Sequence, residues 1–361
     1  MSFQIQGIGT ATPRCFVEQD DAALMATQFN AAEESHMRLL PALYRRSGVK
    51  VRHSVLLESS TDGSSAQQSF YPPAHGPEDR GPTTQLRMNA YAKHAGDLAC
   101  SAAQRALLTS TLDASQISQL ITVTCSGFHS PGIDLALIKR LGLSAEVGRT
   151  QIGFMGCHGA INGLRVAQAM CDAQRDSHVL MVAVELCSLH HQYGWEADRI
   201  VSNSLFADGA AAVVGGYGES EPWRVFANGS KVLDDTELLM TWRIADNGFE
   251  MTLSPTVPDI IRRELSVWLD GWLSRNGMSR ASIASWAIHP GGPRILTACQ
   301  RALALTDAQL APSTETLRDY GNMSSPTVVF ILERLRKANA ALPCVVLAFG
   351  PGLAIEALLL K

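Results

Sequence analysis

Short apolar runs recur along the chain, each bounded by glycine or polar residues. They cover residues 120–127, 179–186, 209–217, 286–292 and 344–350. Their length and their β-branched content predict buried strands. Amphipathic patterns with helical spacing lie between these runs, at residues 86–108, 157–175, 293–305 and 326–339. The alternation of strands and helices predicts an α/β fold built in layers.

The strand and helix patterns fall into two sets, residues 1–215 and 216–361. We expect an N-terminal and a C-terminal half of similar build, although no internal repeat is strong enough to demonstrate a duplication. The segment 58–85 is polar and rich in proline, glycine and serine, which predicts a long surface loop. Thr83 or Thr84 is then expected to cap the next helix.

The C-terminal apolar stretch, residues 344–360, is interrupted by a Gly-Pro-Gly sequence and by Glu356. It therefore predicts two buried strands around a turn, and we expect no membrane span. The N-terminal residues show no basic segment followed by an apolar run, so no secretory signal is expected. These observations favour a cytoplasmic enzyme.

Composition narrows the function classes. The 361 residues are 46% hydrophobic and 18% charged, as in an ordinary globular protein with ample core. A net charge of -4 and a pI near 6.2 argue against nucleic-acid binding. The eight cysteines never form a C-x-x-C pair, so we expect neither zinc nor disulfide staples.

One cysteine stands at the start of an unusually small-residue helical pattern. Gly156, Gly159 and Gly163 surround Cys157 and leave little side-chain bulk, so this helix can be packed on every side. The free N–H groups and partial positive charge of a helix N-terminus favour a thiolate. A buried, space-filling cysteine is the alternative, but a larger aliphatic residue would fill the same space better. Cys157 is the candidate nucleophile.

A histidine and an asparagine occupy similar positions at the ends of predicted elements. His289 ends a buried run, before a Pro-Gly-Gly turn and a helix that starts near Pro293. Asn322 shortly precedes Ser325, a predicted N-cap, and Pro326, a predicted first helical residue. A lone histidine is more often a core or surface group than a catalyst. Their placement makes both residues candidate partners of the nucleophile.

Five blocks now carry a family resemblance: GCHGAINGL, SLFADGAAAVV, IHPGGPRIL, YGNMSSPTVVF and FGPGL. In order and spacing they resemble the signature blocks of the type III polyketide synthases, the chalcone synthase superfamily. The resemblance covers nearly the whole chain. It implies a thiolase-like, five-layered αβαβα fold of two similar halves, a homodimer, and direct use of coenzyme A thioesters without a metal or another cofactor.

The resemblance also implies a mechanism. Cys157, as a thiolate paired with His289, would attack a starter acyl-CoA and hold the acyl group. Malonyl-CoA would then lose carbon dioxide, and donors from His289 and Asn322 would stabilise the enolate. The amide of Asn322 suits this task because it donates without titrating. Repeated condensation and ring closure would give an aromatic or pyrone product.

The resemblance assigns residues to a gate and a cavity. Phe206 matches a phenylalanine that separates the coenzyme A tunnel from the reaction cavity, and Met251 falls where the family has a second such phenylalanine. Cys125 and His190 replace threonines of the plant enzymes, and Ser130 replaces a methionine that the partner subunit contributes. A core aromatic is the alternative interpretation of Phe206.

The remaining cavity positions bear on the starter. Trp242 lies near a glycine of the plant enzymes and would narrow the cavity, and Gly350, Pro351 and Gly352 form the family's Gly-Pro-Gly turn. The side chains at these cavity positions resemble those of bacterial members that make alkylresorcinols and alkylpyrones from fatty acyl-CoA. Because serine is shorter than methionine, we expect a medium to long aliphatic starter, with about 0.8 kcal/mol gained per buried methylene. Malonyl-CoA alone or an aromatic starter, giving a naphthalene or chalcone-type product, stays open.

Basic residues cluster where acidic ones are absent, between Glu34 and Glu58. They are Arg38, Arg45, Arg46, Lys50 and Arg52. Such a patch can hold the coenzyme A phosphates, although a solvated helix face explains the charges equally well. The family uses basic residues from this region, which favours Arg45, Arg46 and Lys50 as coenzyme A contacts. Gly291 and Arg294 are expected to add backbone and side-chain contacts.

Three other functions share part of this pattern. A fatty-acid-initiating β-ketoacyl synthase would use the same residue types with an acyl carrier protein, but the Gly-Pro-Gly block argues against it. A papain-like thiol hydrolase would also use cysteine, histidine and asparagine, without malonyl-CoA. A noncatalytic binding protein is disfavoured because the three candidate residues are intact.

Overall fold

The computed structural model describes residues 2–30, 34–58, 67–218 and 223–361. Its helices are α1 (Gln19–Thr27), α2 (Glu34–Met37), α3 (Leu40–Arg45), α4 (Thr84–Leu108), α5 (Ile133–Leu141), α6 (Gly159–Ala173), α7 (Ala197–Leu205), α8 (Val257–Arg275), α9 (Pro293–Leu303), α10 (Asp307–Tyr320) and α11 (Thr327–Lys337). Its strands are β1 (Ser2–Ala11), β2 (Phe16–Glu18), β3 (Val51–His53), β4 (Gln119–Thr124), β5 (Gly148–Gly153), β6 (His178–Leu186), β7 (Asp208–Gly218), β8 (Val225–Val232), β9 (Met240–Ala245), β10 (Gly248–Leu253), β11 (Ser285–Ile288), β12 (Cys344–Gly350) and β13 (Ala354–Leu360).

Two sheets repeat the same strand arrangement. The first has the order β1-β7-β6-β4-β5 and the second has the order β11-β12-β13-β8. In the first, β7 is antiparallel to β1 and β6, and β6 is parallel to β4. In the second, β13 is antiparallel to β8 and β12, and β12 is parallel to β11. The expected similarity of the two halves is therefore confirmed, with β5 as an extra edge strand in the first sheet.

Helices α6 and α11 form the layer between the sheets, because each contacts strands of both. Alternation along β12 separates two cores: Val346 and Ala348 belong to the core around these helices, whereas Val345 and Leu347 join the core under α8 and α9. Helix α4 packs on the outer face of the first sheet. The layers follow the expected order αβαβα.

The small residues of α6 are explained by the close approach of the first sheet. A Cβ atom at Gly163 would lie 3.0 Å from Met181 Cγ and 3.1 Å from Val123 Cγ2. At Gly159 it would lie 2.9 Å from Val123 Cγ1. The prediction that this helix is packed on every side is confirmed for its first turns, where residues 159–164 are all buried, whereas Ala169, Asp172 and Ala173 near its end are exposed.

Several predicted boundaries change in detail. Strand β7 continues to Gly218, three residues past the predicted division of the chain at 215. Thr83 is the N-cap of α4, and its side chain accepts from the Leu86 N–H at 3.4 Å. The predicted surface loop is partly wrong, because Tyr71 is buried beside Phe29 and Tyr193. Residues 59–66 of that loop lie outside the described residues.

The C-terminal stretch forms two strands, as predicted. Strands β12 and β13 are antiparallel and pair from Cys344 with Leu360 to Gly350 with Ala354. Both are buried throughout. Among the residues that the structure describes, no helix has the length and apolar character needed to cross a membrane.

Candidate active site

Cys157 lies in a tight turn between β5 and α6. The chain enters this turn with positive φ at Phe154 (55°) and Gly156 (68°), forms a 3-10 turn over residues 156–158, and begins α6 at Gly159. The prediction that Cys157 begins the α-helix is therefore slightly wrong. The cysteine is 8% exposed. Beside it, the Gly156 N–H donates to Cys125 Sγ at 3.1 Å.

The Gly-Pro-Gly turn after β12 covers the cysteine turn. A Cβ atom at Gly156 would lie 2.5 Å from Pro351 Cδ, and one at Gly350 would lie 2.4 Å from His158 Cδ2. Gly352 has φ 137°, a conformation that side-chain-bearing residues rarely adopt. The glycines of this block therefore allow two backbone turns from opposite halves to meet beside Cys157.

His289 directly follows β11, as the sequence predicts. Its N–H donates to the Leu347 carbonyl at 2.8 Å, and the residue is 1% exposed. Neither ring nitrogen has a hydrogen-bond partner among the described residues. Burial, with a smaller effect from His158, lowers the pKa of His289 to about 3. The ring is thus neutral and has both nitrogens available for a ligand.

Asn322 is fixed through its backbone to the chain around Phe206. Its N–H donates to the Leu205 carbonyl at 2.8 Å, and its carbonyl accepts from the Ala207 N–H at 2.9 Å. The side-chain Oδ1 accepts from the Ser324 N–H at 2.8 Å. The amide NH2 group is then the part of the side chain that can donate to a ligand.

The predicted start of α11 is wrong. Pro326 is the N-cap, and the helix begins at Thr327, so Ser325 does not cap it. The Ser325 hydroxyl instead donates to Glu185 Oε1 at 2.8 Å. This buried carboxylate offers the hydroxyl a charged acceptor, which makes a stronger hydrogen bond than a neutral cap would.

The three candidate residues lie around one small cavity. Cys157, His289 and Asn322 line a space of about 30 Å³, here called the reaction cavity. Its other walls are mostly apolar, and its remaining lining residues are Ser202, Leu205, Phe206, Met240, Met251, Leu253, Gly291, Ile295 and Phe349. A thiol, an imidazole and an amide donor therefore line a common, largely apolar cavity.

Burial works against the predicted thiolate of Cys157. Burial raises the pKa of Cys157 to about 11, and hydrogen bonding by the Ser324 and Asn322 side chains offsets only part of this effect. The charge of Glu185 raises the pKa further. Desolvation therefore outweighs the helix N-terminus. At these pKa values the resting pair would be a thiol and a neutral imidazole, and a proton must move when Cys157 attacks.

Phe206 and Met251 stand where three cavities meet. Both line the reaction cavity, a second space of about 30 Å³ bounded by Cys125, Cys157 and Pro351, and a third of about 110 Å³, here called the side cavity. This placement is the one expected of residues that divide one space from another.

Cys125, His190 and Trp242 lie together beside two of these cavities. Cys125 lines the second cavity and His190 lines the side cavity. The indole Nε1 of Trp242 donates to the Cys125 carbonyl at 2.9 Å. His190 is held by the Ser126 carbonyl at Nε2, 2.7 Å away, and by the Phe249 N–H at Nδ1, 3.0 Å away. Burial lowers the pKa of His190 to about 3, so it is a neutral, fixed ring. Trp242 lines both the second cavity and the side cavity.

Ser130 lies away from these spaces. It is exposed and lines none of the three cavities of its own chain. The resemblance assigns Ser130 to the cavity of a partner subunit, so this role stays a prediction, and the exposed position of the loop after Gly127 leaves the residue accessible to a second chain.

Three of the predicted coenzyme A contacts are exposed basic residues near the end of α3. Arg45, Arg46 and Lys50 reach solvent, but Arg45 pairs with Asp20 at 3.1 Å. An acidic residue of α1 therefore lies within the basic patch, although the segment between Glu34 and Glu58 contains no acidic residue. Arg52 leaves this patch, since its guanidinium turns inward and donates to the Phe206 carbonyl at 3.2 Å.

The basic segment adjoins the start of α9. A Cβ atom at Gly48 would lie 3.2 Å from Pro293 Cγ, which places this segment beside the turn that carries Gly291 and Arg294. Gly291 lines the reaction cavity. The exposed Arg294 donates from Nη2 to the Pro255 carbonyl at 3.1 Å. Positive charge and the cavity thus meet at one end of α9.

Glu185 lies at the candidate active site but was not among the residues predicted from the sequence. It is completely buried near Cys157 and accepts from the N–H of Cys125 at 2.9 Å, from the N–H and hydroxyl of Ser126 at 3.0 and 2.6 Å, and from the hydroxyl of Ser325. Burial raises its pKa, and these donors oppose the effect. A lone carboxylate at the end of the apolar run 179–186 was the available signal. Within the described ranges, no three His, Cys, Asp or Glu side chains group as a metal site would require.

Comparisons with known proteins agree with this geometry. Residues 3–219 match the family described as chalcone and stilbene synthases, N-terminal domain, and residues 225–361 match its C-terminal domain. The alpha-pyrone synthesis polyketide synthase-like Pks18 of Mycobacterium tuberculosis is 32% identical over 98% of this chain and 90% of its own length.

Two further relatives extend the comparison. The 1,3,6,8-tetrahydroxynaphthalene synthase of Streptomyces peucetius is 35% identical over 73% of this chain and 72% of its own length. The crystal structure of PKS-I from the brown alga Ectocarpus siliculosus superposes with a TM-score of 0.93, at 31% identity, over 100% of this chain and 98% of that one. The chain belongs to the chalcone and stilbene synthase family, the type III polyketide synthases, which are acyl-condensing transferases.

Proposed function

We propose that this chain condenses a medium to long aliphatic acyl-CoA starter with malonyl-CoA by decarboxylative Claisen condensation, and closes the product to a resorcinol or a pyrone. The observation that carries the proposal is the convergence of Cys157, His289 and Asn322 on one largely apolar cavity. A relative whose name refers to alpha-pyrone synthesis, similar over nearly the whole chain, supports the pyrone outcome.

The first step loads the starter. Cys157 holds its proton at rest because burial raises its pKa to about 11, and His289 is neutral with both nitrogens unpaired. His289 takes the thiol proton as Cys157 Sγ forms a bond to the thioester carbonyl. The bond to coenzyme A then breaks, and the coenzyme A thiolate takes up the proton and leaves. The product is an acyl group on Cys157.

The second step extends the chain. Loss of carbon dioxide from malonyl-CoA leaves an enolate, whose oxygen accepts hydrogen bonds from His289 and from the Asn322 amide. The carbanion carbon attacks the acyl carbonyl, and the bond to Cys157 Sγ breaks. The acyl chain, longer by two carbons, is then attached to coenzyme A. Low exposure of the cavity strengthens both hydrogen bonds because water does not compete for them.

Phe206 and Met251 divide the coenzyme A path from the space that holds the growing chain. Their position at the meeting point of three cavities supports this role. The flexible side chain of Met251 makes a softer partition than a second aromatic ring would. The basic residues Arg45, Arg46 and Lys50, with Arg294, hold the coenzyme A phosphates at the outer end.

The starter is tested by comparing kcat/KM for acyl-CoA substrates of increasing length with malonyl-CoA as extender, together with carbon dioxide release. An aliphatic starter of medium or long chain should be preferred to acetyl-CoA and to coumaroyl-CoA. A preference for malonyl-CoA alone would move the function toward that of the naphthalene-forming relative. An aromatic preference would favour a chalcone-type reaction.

We also propose a homodimer, supported by an exposed apolar cluster close to the active-site turn. Phe128 and Met155 are 40% and 37% exposed, and Phe128 stacks on Phe154 with ring centroids 5.0 Å apart. Ser130 follows Phe128 in the same loop, so a second subunit at this surface would bring Ser130 near a neighbouring cavity. Light scattering gives the mass directly. In a dimer, Ser130→Met should penalise long starters more than short ones.

A further inference from the structure

The side cavity lies next to the space around Cys157. Its walls include Cys187, Phe206, Trp242 and Met251, and these four residues also line the second cavity, which Cys157 borders. The opposite wall comes from the N-terminal segments of the chain and is apolar, with Val17, Ala22, Met25, Phe29, Leu56 and Leu57. With about 110 Å³, the side cavity has room for several water-sized groups.

An arginine on this wall has unused donor capacity. Arg52 Nη1 donates to the carbonyls of Asn203 and Phe206. Its Nε is buried and has no hydrogen-bond partner, and the ion pairs among the described residues do not include Arg52. The guanidinium lies over the Tyr44 ring, 5.5 Å from its centroid. The guanidinium also hydrogen-bonds to the Tyr44 side chain and feels the charge of Asp208, so Nε is its one buried nitrogen that lacks a hydrogen-bond partner.

A histidine on the same wall is also incompletely paired. His191 Nε2 is buried and has no hydrogen-bond partner. Burial and the charges of Arg52 and Arg87 lower the pKa of His191 to about 3, so its ring is neutral. The rings of Phe29, Tyr71 and Tyr193 surround it, with centroids 5.1 to 6.5 Å away. Arg52 and His191 thus present two unsatisfied polar atoms beside one cavity.

The unpaired atoms of Arg52 and His191 indicate which kind of ligand the side cavity binds. A buried polar atom without a partner is costly, and a pure hydrocarbon entering the cavity would leave both atoms unpaired. A chain that carries carbonyl oxygens supplies acceptors for them. Every condensation of the reaction proposed above adds one such oxygen, on every second carbon from the thioester.

We propose that the side cavity receives the oxygen-bearing intermediate, and that Arg52 and His191 hold its keto oxygens and so select oxo-acyl over saturated chains. This inference rests on the proposed function. Arg52 donates to the carbonyl of Phe206, which places the guanidinium beside a residue that lines both the side cavity and the reaction cavity. The apolar wall formed by Val17, Ala22 and Met25 then takes the alkyl tail beyond the keto groups.

The test uses acyl loading alone, without malonyl-CoA. The rate of acyl-enzyme formation is measured by intact-protein mass for 5-oxohexanoyl-CoA and hexanoyl-CoA, which differ only by the oxygen on the fifth carbon. Wild-type protein should favour the oxo compound in kcat/KM by about tenfold, as expected of one hydrogen bond to a charged donor. In Arg52→Met this preference should fall to about one, because a neutral side chain of similar length cannot donate.

His191→Phe provides a second variant that keeps the ring contacts, and it should lower the preference by about threefold, in line with a hydrogen bond to a neutral donor. Arg262→Met, an exposed change on α8, is the control and should keep the wild-type preference. Hexanoyl-CoA loading and the melting temperature report whether each variant folds; if Arg52→Met does not, His191→Phe decides. Equal loading of the two thioesters by wild type, or a preference that survives His191→Phe and any folded Arg52→Met, would overturn the proposal. Because loading needs no condensation, failure of the proposed function would show separately, as absent carbon dioxide release from malonyl-CoA.

Discussion

The two central helices occupy equivalent places in the two halves but enter the active site with different chemistry. Helix α6 is preceded by Cys157 in a tight, glycine-dependent turn, whereas α11 is preceded by Asn322, whose backbone bonds to the chain around Phe206. The C-terminal half also supplies His289, after β11. In the proposed reaction, one half therefore carries the atom that forms a covalent bond, and the other carries the groups that move protons or donate hydrogen bonds.

The difference teaches how a repeated topology can produce an asymmetric site. In both halves a parallel strand pair leads toward the centre of the molecule, so the ends of the elements meet there. What differs is the residue at each end and the way it is held. The following predictions test whether the two halves have separable tasks.

The largest effect should follow the loss of the proton acceptor. His289→Ala should slow acylation by about a thousandfold or more, because burial keeps the Cys157 thiol protonated and the nearby Glu185 carboxylate is already engaged by several hydrogen-bond donors. Rapid-quench mass spectrometry with an acyl-CoA measures this rate. Acylation within tenfold of wild type would show that His289 does not accept the thiol proton.

The next effect should separate the two steps of the reaction. Asn322→Ala should reduce malonyl-CoA decarboxylation by about 10²–10³-fold, the usual cost of removing an oxyanion donor, while acylation of Cys157 changes far less. Carbon dioxide release and acyl-enzyme formation are measured on the same preparation. Asn322→Asp, which keeps the shape, should be at least as slow, since its negative charge would repel the enolate. Equal loss of both steps would contradict the division of tasks.

The protonation state of the cysteine gives a third prediction. With a pKa of about 11, Cys157 is a thiol at neutral pH, so its alkylation by iodoacetamide should be slow and should accelerate with each pH unit up to about 11. Modification is followed by peptide mass spectrometry, with Cys157→Ala as the blank. A rate that is already constant below pH 7 would indicate a resting thiolate–imidazolium pair.

The smallest effect should come from the coenzyme A patch. Arg45→Ala combined with Arg46→Ala should raise the KM for malonyl-CoA about threefold to tenfold and leave kcat nearly unchanged, because uniform binding is lost. The effect is modest because both residues are exposed and Arg45 already pairs with Asp20. Steady-state kinetics at two salt concentrations measures it. An unchanged KM would assign these charges to a solvated helix face.

Much of the fold could be predicted because burial leaves a direct pattern in the sequence. Strand β12 is apolar throughout, and β6 is apolar except for His178 and Glu185, since both faces of each strand are covered. The glycines of α6 similarly indicated the close packing of its first turns. These sequence patterns arise because any chain with this order of layers must cover its central strands and helices on both sides.

The predictions that the structure does not support involve contacts between residues that are far apart in sequence. The hydroxyl of Ser325 has the position of a helix cap, but it bonds to Glu185, 140 residues earlier in the chain. The thiolate prediction considered the helix end next to Cys157 and not its burial, to which the turn at Pro351 contributes from the other half. Arg52 seemed to belong to a surface patch, yet it turns inward to the Phe206 carbonyl. Local sequence rules do not contain such contacts.

The central claim is that Cys157 becomes covalently acylated by a coenzyme A thioester. It is tested most directly by intact-protein mass after incubation with hexanoyl-CoA, for wild type and for Cys157→Ala. Wild type should gain the mass of one acyl group, with the modified peptide containing residue 157, and the folded variant should gain none. An equal adduct on the variant, or an adduct on another cysteine of the wild type, would contradict the account.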